Sequence, residues 1–179
     1  MTDLVIVGAG WAGCAAAVAA AKQGARVRLL ERTDMILGTG LVGGILRNNG
    51  RLTAALELEA MGGADLLNAL EPALRHRNIS FPGHDHADLY DIALAPGAVL
   101  DCLKRWGVTL RTQTRITGIS MSADKTSIES VTDGHGNTYA ADAFLDATGT
   151  AGPTANCARY GNGCSMCILR CPSFGGRVS

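Results

Sequence analysis

The sequence carries no surplus of either charge: 16 Lys and Arg balance 16 Asp and Glu, for a formal net charge of zero. A neutral chain offers no electrostatic argument for nucleic acid or an anionic membrane surface as a partner. It also lacks an uninterrupted apolar run long enough to span a membrane. Residues 5 to 21 are apolar enough to imitate a signal peptide, but Asp3 precedes them and the basic region that opens such a peptide is missing. Without an export signal the expected location is the cytoplasm. There the six cysteines read as metal or redox ligands rather than structural disulfides. No side chain stands out as a catalytic acid or base. What is present is a 179-residue chain, 47% hydrophobic, sufficient to bury one sizeable core.

The chain is organised around its first thirty residues. Leu4-Val5-Ile6-Val7 is a short run of strand formers that breaks at once into Gly8-Ala9-Gly10-Trp11-Ala12-Gly13. Cys14 to Lys22 is nearly all Ala and Val, a helical composition, and Gln23-Gly24 supplies its stop. Ala25 to Leu30 reads as a second strand ending on Glu31. Each residue type has a task in such a βαβ unit. Gly8 permits a sharp turn, Gly10 lets a pyrophosphate approach the backbone at the helix N-terminus, and Gly13 lets helix and strand pack closely. Glu31 lies about 20 residues beyond the glycines, where a carboxylate can accept hydrogen bonds from ribose hydroxyls. An acid there also disfavours a 2′-phosphate.

Arg32 to Gly44 follows with four glycines within its last seven residues, a composition that suits backbone running close to a ligand or a neighbouring chain. The GxGxxG unit, the terminal Glu31 and this loop together resemble the FAD-dependent oxidoreductases of the glutathione-reductase-like superfamily. The resemblance implies an α/β, Rossmann-like FAD-binding fold with a parallel sheet, helices and an antiparallel β-meander. It also implies a cofactor-binding set made of Gly8, Gly10, Trp11, Ala12, Gly13, Glu31, Arg32, Gly38, Gly43 and Gly44. The first glycines would hold the pyrophosphate and the acid the adenosine ribose, while the loop would run towards the flavin.

Further along, Thr53 to Asn78 has a helical pattern. Ala54, Leu56, Leu58 and Met61 precede Gly62-Gly63, and Leu66, Leu67, Leu70 and Leu74 then recur at spacings of three and four. The stretch from Phe81 to Asp91 reads as a loop. Its His84, Asp85, His86 and Asp88 are ordinary ligand types for a metal. A substrate-facing or flavin-facing loop is the better use for His86 and Tyr90, and His84, His86 and Tyr90 are the catalytic candidates. Pro96 to Trp106 reads as a helix stopped by Gly107, with Val99, Leu100 and Leu103 on one side. A strand at Val108 to Leu110 follows, then an antiparallel pair at Arg115 to Met121 and Ser127 to Thr132, with turns at Asp133-Gly134 and Gly136-Asn137. By the resemblance, Ile116 approaches the adenine. Ala143 to Gly149, an apolar strand running into Ala147-Thr148-Gly149, resembles the second signature of the same superfamily and adds those three residues to the cofactor set.

Beyond residue 152 the pattern changes. Cys157, Cys164, Cys167 and Cys171-Pro172 form C-x6-C-x2-C-x3-C-P. Four thiolates can hold one [4Fe–4S] cluster, and the last three cysteines follow the second half of the bacterial ferredoxin run. A redox-active Cys164/Cys167 pair or a structural zinc is also compatible with these ligands. Cys14 and Cys102 stand alone at helical positions and read as small buried hydrophobes.

The expected organisation is a Rossmann-like domain at 1–152, with a helical insertion at about 34–100, and a cysteine-rich segment at 153–179. A complete enzyme of the resembled superfamily has further elements that close over the flavin. Either a second polypeptide supplies them or the sequence is a fragment, and the favoured expectation is a natural split subunit whose fold is incomplete without a second polypeptide. The implied activity is FAD-dependent transfer of electrons between a small-molecule substrate and an iron–sulfur cluster. Alternatives are an FAD-binding electron-transfer subunit without substrate chemistry, a flavin disulfide oxidoreductase, and a zinc-binding Rossmann subunit using NAD.

Overall fold

The structure, a computed structural model, describes residues 1–41, 44–47 and 50–149, with backbone alone for 50–54. Gly43 and the cysteines at 157, 164, 167 and 171 lie outside the described residues. The chain opens with β1 (Asp3–Val7), α1 (Trp11–Lys22) and β2 (Arg26–Leu30), the three elements its first residues dictate. Next come β3 (Ile45–Arg47), α2 (Gly50–Ala60), α3 (Asp65–Ala69), β4 (Leu74–Phe81), β5 (His84–Tyr90) and α4 (Ala95–Arg105). The described part ends with β6 (Thr109–Arg111), β7 (Ile116–Met121), β8 (Ile128–Asp133), β9 (Thr138–Ala140) and β10 (Ala143–Asp146).

Four parallel strands form the central sheet in the order β10-β1-β2-β6. Val5 lies opposite both Phe144 and Arg28, so β1 is paired on both edges. Its apolar run is continuous because both faces are covered, as a parallel sheet requires. Ile6 faces a core built with Cys14, Ala17 and Val18 of α1 and with Val99, Cys102 and Leu103 of α4. Val5 faces the other way, into a second core with Leu30, Val131 and Tyr139. Helices thus cover one face of the sheet, and the three-stranded meander β7-β8-β9 covers the other. Cys14 and Cys102, read from sequence as small buried hydrophobes, are 0% and 1% exposed.

The helix layer is locked at the C-terminal end of α1. Lys22 Nζ donates to the Gly62 carbonyl at 3.0 Å and to Asp65 at 2.8 Å, and it lies 5.8 Å from the centre of the Trp106 ring. A cation is favourable there because the last carbonyls of a helix carry partial negative charge.

Two sequence expectations are corrected between residues 53 and 91. The helical pattern does not continue to Asn78: α2 ends at Ala60, α3 at Ala69, and Glu71–Ala73 is a single 3-10 turn containing Pro72. Leu74 then opens β4, and the stretch read as a loop contains β5. The two strands pair antiparallel, with Leu74 opposite Tyr90 and Phe81 opposite His84, and β3 completes a sheet in the order β3-β5-β4. Pro72 cannot continue an α-helix because it lacks the amide hydrogen. The partner strand, which periodicity cannot show, decides the rest. The buried helix face also shrinks: Leu66 and Leu70 are buried, whereas Leu56 and Met61 are 52% and 83% exposed. In α4, Val99 and Leu103 face the core, while Leu100 is 42% exposed and Cys102 takes the inward position. Among the described residues no helix is long and apolar enough to cross a membrane.

Candidate functional site

The site begins where β1 ends. Gly8 has φ +102°, and a Cβ there would lie 2.5 Å from the Ala147 carbonyl oxygen. Only glycine lets the turn pass beneath the end of β10. A Cβ on Gly13 would overlap the Gly8 carbonyl oxygen and come within 3.3 Å of the Ala147 side chain. Gly10 is different. It is the N-cap of α1 with φ −71° and ψ −175°, and a Cβ placed on it would meet nothing within 4 Å. Open space therefore lies on the Cβ side of Gly10 at the helix N-terminus. No side chain caps that end and no acid occupies its first turn. The first amide hydrogens of a helix have no partner inside it, so this end offers donors and positive potential to an anion.

Glu31 stands at the C-terminal end of β2, 8% exposed. Its Oε2 accepts the Ala9 amide at 2.8 Å, while Oε1 accepts the Thr33 amide at 2.9 Å and the Thr33 hydroxyl at 3.0 Å. The carboxylate ties the glycine turn to the start of the following loop. A carboxylate offers about four acceptor positions, so three such bonds leave capacity for a ribose hydroxyl. Thr33 carried no sequence signal for this role, because the bond depends on how the chain folds back after β2.

A cleft of about 470 Å³ opens beside this carboxylate, between the ends of the parallel strands and the meander. Gly8, Glu31, Arg32, Ile116 and Thr148 line it, as do Thr114, Arg115, Ile128, Val131 and Phe144. The structure thus brings five of the sequence-named cofactor residues to one cleft. The apolar walls contributed by Ile128, Val131 and Phe144 were not singled out from sequence. They converge only because the meander folds over the sheet. A mostly apolar slot with a few convergent polar groups is the usual form of a small-molecule site.

Residues 36–41 pack over the glycine turn. Leu37 donates its amide to the Ala9 carbonyl at 2.7 Å, and Gly10 and Leu37 form a short parallel bridge. Gly38 has φ +49°, and Gly44, at +60°, lies so close to β5 that a Cβ would come 2.8 Å from the Tyr90 carbonyl oxygen. At the opposite rim, Ala147 donates its amide to Val7 at 2.8 Å. Thr148 turns back on Asp146, its amide donating to the carboxylate at 2.9 Å, and Gly149 follows with φ +71°.

The three catalytic candidates take other positions. His84 packs against Phe81 with ring centres 4.5 Å apart, and His86 Nδ1 lies 2.9 Å from Asn78 Oδ1. Both sit on the β4-β5 hairpin and neither lines the cleft. Tyr90 is 5% exposed, and its hydroxyl donates to the Gly40 carbonyl. Burial pushes the Tyr90 phenol above its ordinary pKa, partly offset by the Trp11 side chain beside it. Asp88, one of the residues considered for a metal, is engaged by Arg47 at 2.6 Å and by the Asn78 amide at 2.8 Å. Among the described residues no group of three His, Cys, Asp or Glu side chains could hold a metal ion.

Comparison with known proteins agrees with this fold. A family model for FAD dependent oxidoreductases matches residues 3–156. No curated protein sequence matches the chain. Among solved structures, the Diels-Alderase PyrE3 of pyrroindomycin biosynthesis superposes with a TM-score of 0.64 at 19% identity, covering 89% of this chain and 35% of PyrE3. CtdE, solved in complex with FAD and a substrate, gives 0.59 at 17% identity, covering 87% of this chain and 40% of CtdE. THI4 of Thermovibrio ammonificans gives 0.57 at 20% identity, covering 89% of this chain and 62% of THI4. The chain therefore spans between about a third and three fifths of these proteins' lengths, and at such identities the likeness is one of fold.

Proposed function

Since the chain belongs to the FAD-dependent oxidoreductase family, we propose that it holds the ADP half of FAD in an enzyme moving electrons between a small-molecule substrate and an iron–sulfur cluster. The observation that carries the flavin part is the open, uncapped N-terminus of α1 at Gly10, set beside the cleft and the Glu31 carboxylate. The residues present fit the cofactor. The amides after Gly10 would take the diphosphate, Glu31 the ribose, and Ile116 and Phe144 the flanks of the adenine. Bound FAD would supply the hydride or electron transfer itself. The protein's own work is to exclude water from the adenine slot, fix the ribose and place the diphosphate against the helix end.

In this reading Cys157, Cys164, Cys167 and Cys171 hold a [4Fe–4S] cluster, a ligation supported by their sequence spacing. In the same reading, groups outside the described residues complete the flavin pocket and contact the substrate, and a second polypeptide is proposed to supply them. A reducing compartment such as the cytoplasm would keep these cysteines from pairing as disulfides and leave them able to ligate a cluster.

The test is an ultraviolet–visible spectrum of the anaerobically isolated full chain with whatever copurifies, before and after dithionite, with iron and labile sulfide assayed on the same sample. Flavin bands with a broad bleachable shoulder and about four irons per chain are expected, as one such cluster requires. Flavin without iron would transfer the cysteines to a dithiol or zinc role, and a preparation that neither contains nor takes up FAD would sink the flavin reading.

A further inference from the structure

On the basis of that reading, we propose that Tyr90 is a positioning residue for the diphosphate and flavin end of the cofactor, acting through the strap of residues 36–41 rather than on any reacting atom. The strap is held from two sides. On one side Leu37 hydrogen-bonds Ala9 in the glycine turn. Leu37 is also 1% exposed at φ +72°, a left-handed conformation that a branched side chain adopts only when its surroundings enforce it. On the other side the strap turns at Gly40, whose amide donates to the Leu37 carbonyl at 2.7 Å and whose carbonyl accepts the Tyr90 hydroxyl.

Between these anchors stands Trp11, the first residue of α1. Its ring meets Tyr90 edge to face, with centres 5.7 Å apart and planes at 85°. Gly40 lies so close to the indole that a Cβ there would overlap Nε1. A phenol at the end of β5 therefore fixes, across 50 positions of sequence, the backbone lying over the N-terminus of α1. Tyr90, Gly40 and Leu37 are absent from the lining of the adenine cleft. Their influence should fall on the diphosphate and flavin side and spare the adenosine side.

That separation is the test. FAD affinity is read from quenching of flavin fluorescence and AMP affinity from calorimetry, using the full chain, Tyr90→Phe and Gly40→Ala, with thermal midpoints on the same samples. Tyr90→Phe keeps the ring contact with Trp11 and removes the hydroxyl, with its hydrogen bond to Gly40 and its polar interaction with the Trp11 side chain. It should weaken FAD roughly three- to tenfold, the worth of one such bond, while AMP affinity changes by less than about twofold. Gly40→Ala moves the strap from the Trp11 side and should change the ratio of FAD to AMP affinity in the same direction. Unchanged FAD affinity in both variants would overturn the proposal. So would an equal loss of FAD and AMP, which would mark a purely structural tyrosine. Glu31→Gln is the control for the underlying reading, because it should weaken both ligands together. A native chain that binds neither ligand would refute the flavin reading itself, and the positioning role with it.

Discussion

Alanine at Gly10 and alanine at Gly13 should have opposite consequences, although the two glycines are three residues apart in one motif. At Gly10 the backbone is extended, φ −71° and ψ −175°, and a Cβ meets nothing within 4 Å. Replacing glycine at a compatible position stabilises by about 0.4–1 kcal/mol through the unfolded chain. Alanine is the poorer helix N-cap by a similar amount, so the net change without ligand should stay within about 1 kcal/mol. The methyl would stand where the diphosphate must approach the helix, and FAD affinity should fall by at least about tenfold, or 1.4 kcal/mol. At Gly13 the methyl overlaps the Gly8 carbonyl oxygen, a backbone atom that no rotamer change can move aside. Overpacking of this kind costs about 1–3 kcal/mol or more, against a gain of about 1 kcal/mol in helix propensity. With an overlap this deep the cost falls at the upper end, so Gly13→Ala should lower stability by up to about 2 kcal/mol in the absence of FAD, or up to about 4–8 °C in thermal midpoint for a chain of this size. Urea unfolding of the ligand-free chains reads the first quantity, and flavin fluorescence titration the second. The reasoning is refuted if Gly10→Ala unfolds as easily as Gly13→Ala, or if Gly10→Ala binds FAD like the native chain.

The turn between β8 and β9 should respond to acid. Asp133 accepts hydrogen bonds from the Asn137 side chain and amide, the Tyr139 hydroxyl and the His135 amide, which together hold its pKa down to about 2. A carboxyl depressed in the folded state contributes stability that is complete above its unfolded value of about 4 and is lost as pH falls towards about 2. The native chain should lose stability across that window more steeply than Asp133→Asn, as followed by circular dichroism, and equal slopes would contradict the assignment. Cys14, fully buried and close to Glu31, has its thiol pushed up to about 12, chiefly by burial. It should resist thiol reagents at pH 8 until the chain is unfolded, and peptide mapping of labelled protein that finds Cys14 modified in the native state would show the α1 core to be open.

The alternation from Leu4 to Glu31 was enough to determine the first βαβ unit, because its glycines, its alanine-rich helix and its terminal acid are local choices that agree with one another. The same holds for α4 and for the meander, whose turn residues mark their own positions. The sequence alone also placed Gly8, Gly10 and Gly13 at one turn and Glu31 near it. It could not distinguish Gly13, which has no room for a side chain, from Gly10, which has nothing in front of it, since that difference lies in the position of Ala147 and the returning β10. Residues 74–91 were misread for a related reason. Leu66, Leu70 and Leu74 satisfy a helical spacing, but a strand is stabilised by its neighbour, and β4 and β5 exist because each satisfies the other's backbone. The strap at 36–41 and its hold by Tyr90 were equally invisible, as nothing in the local sequence says that a tyrosine fifty residues away will donate to Gly40. Tertiary structure decided the walls of the cleft and the anchoring of the strap, because both are made by segments that meet only after the sheet has formed.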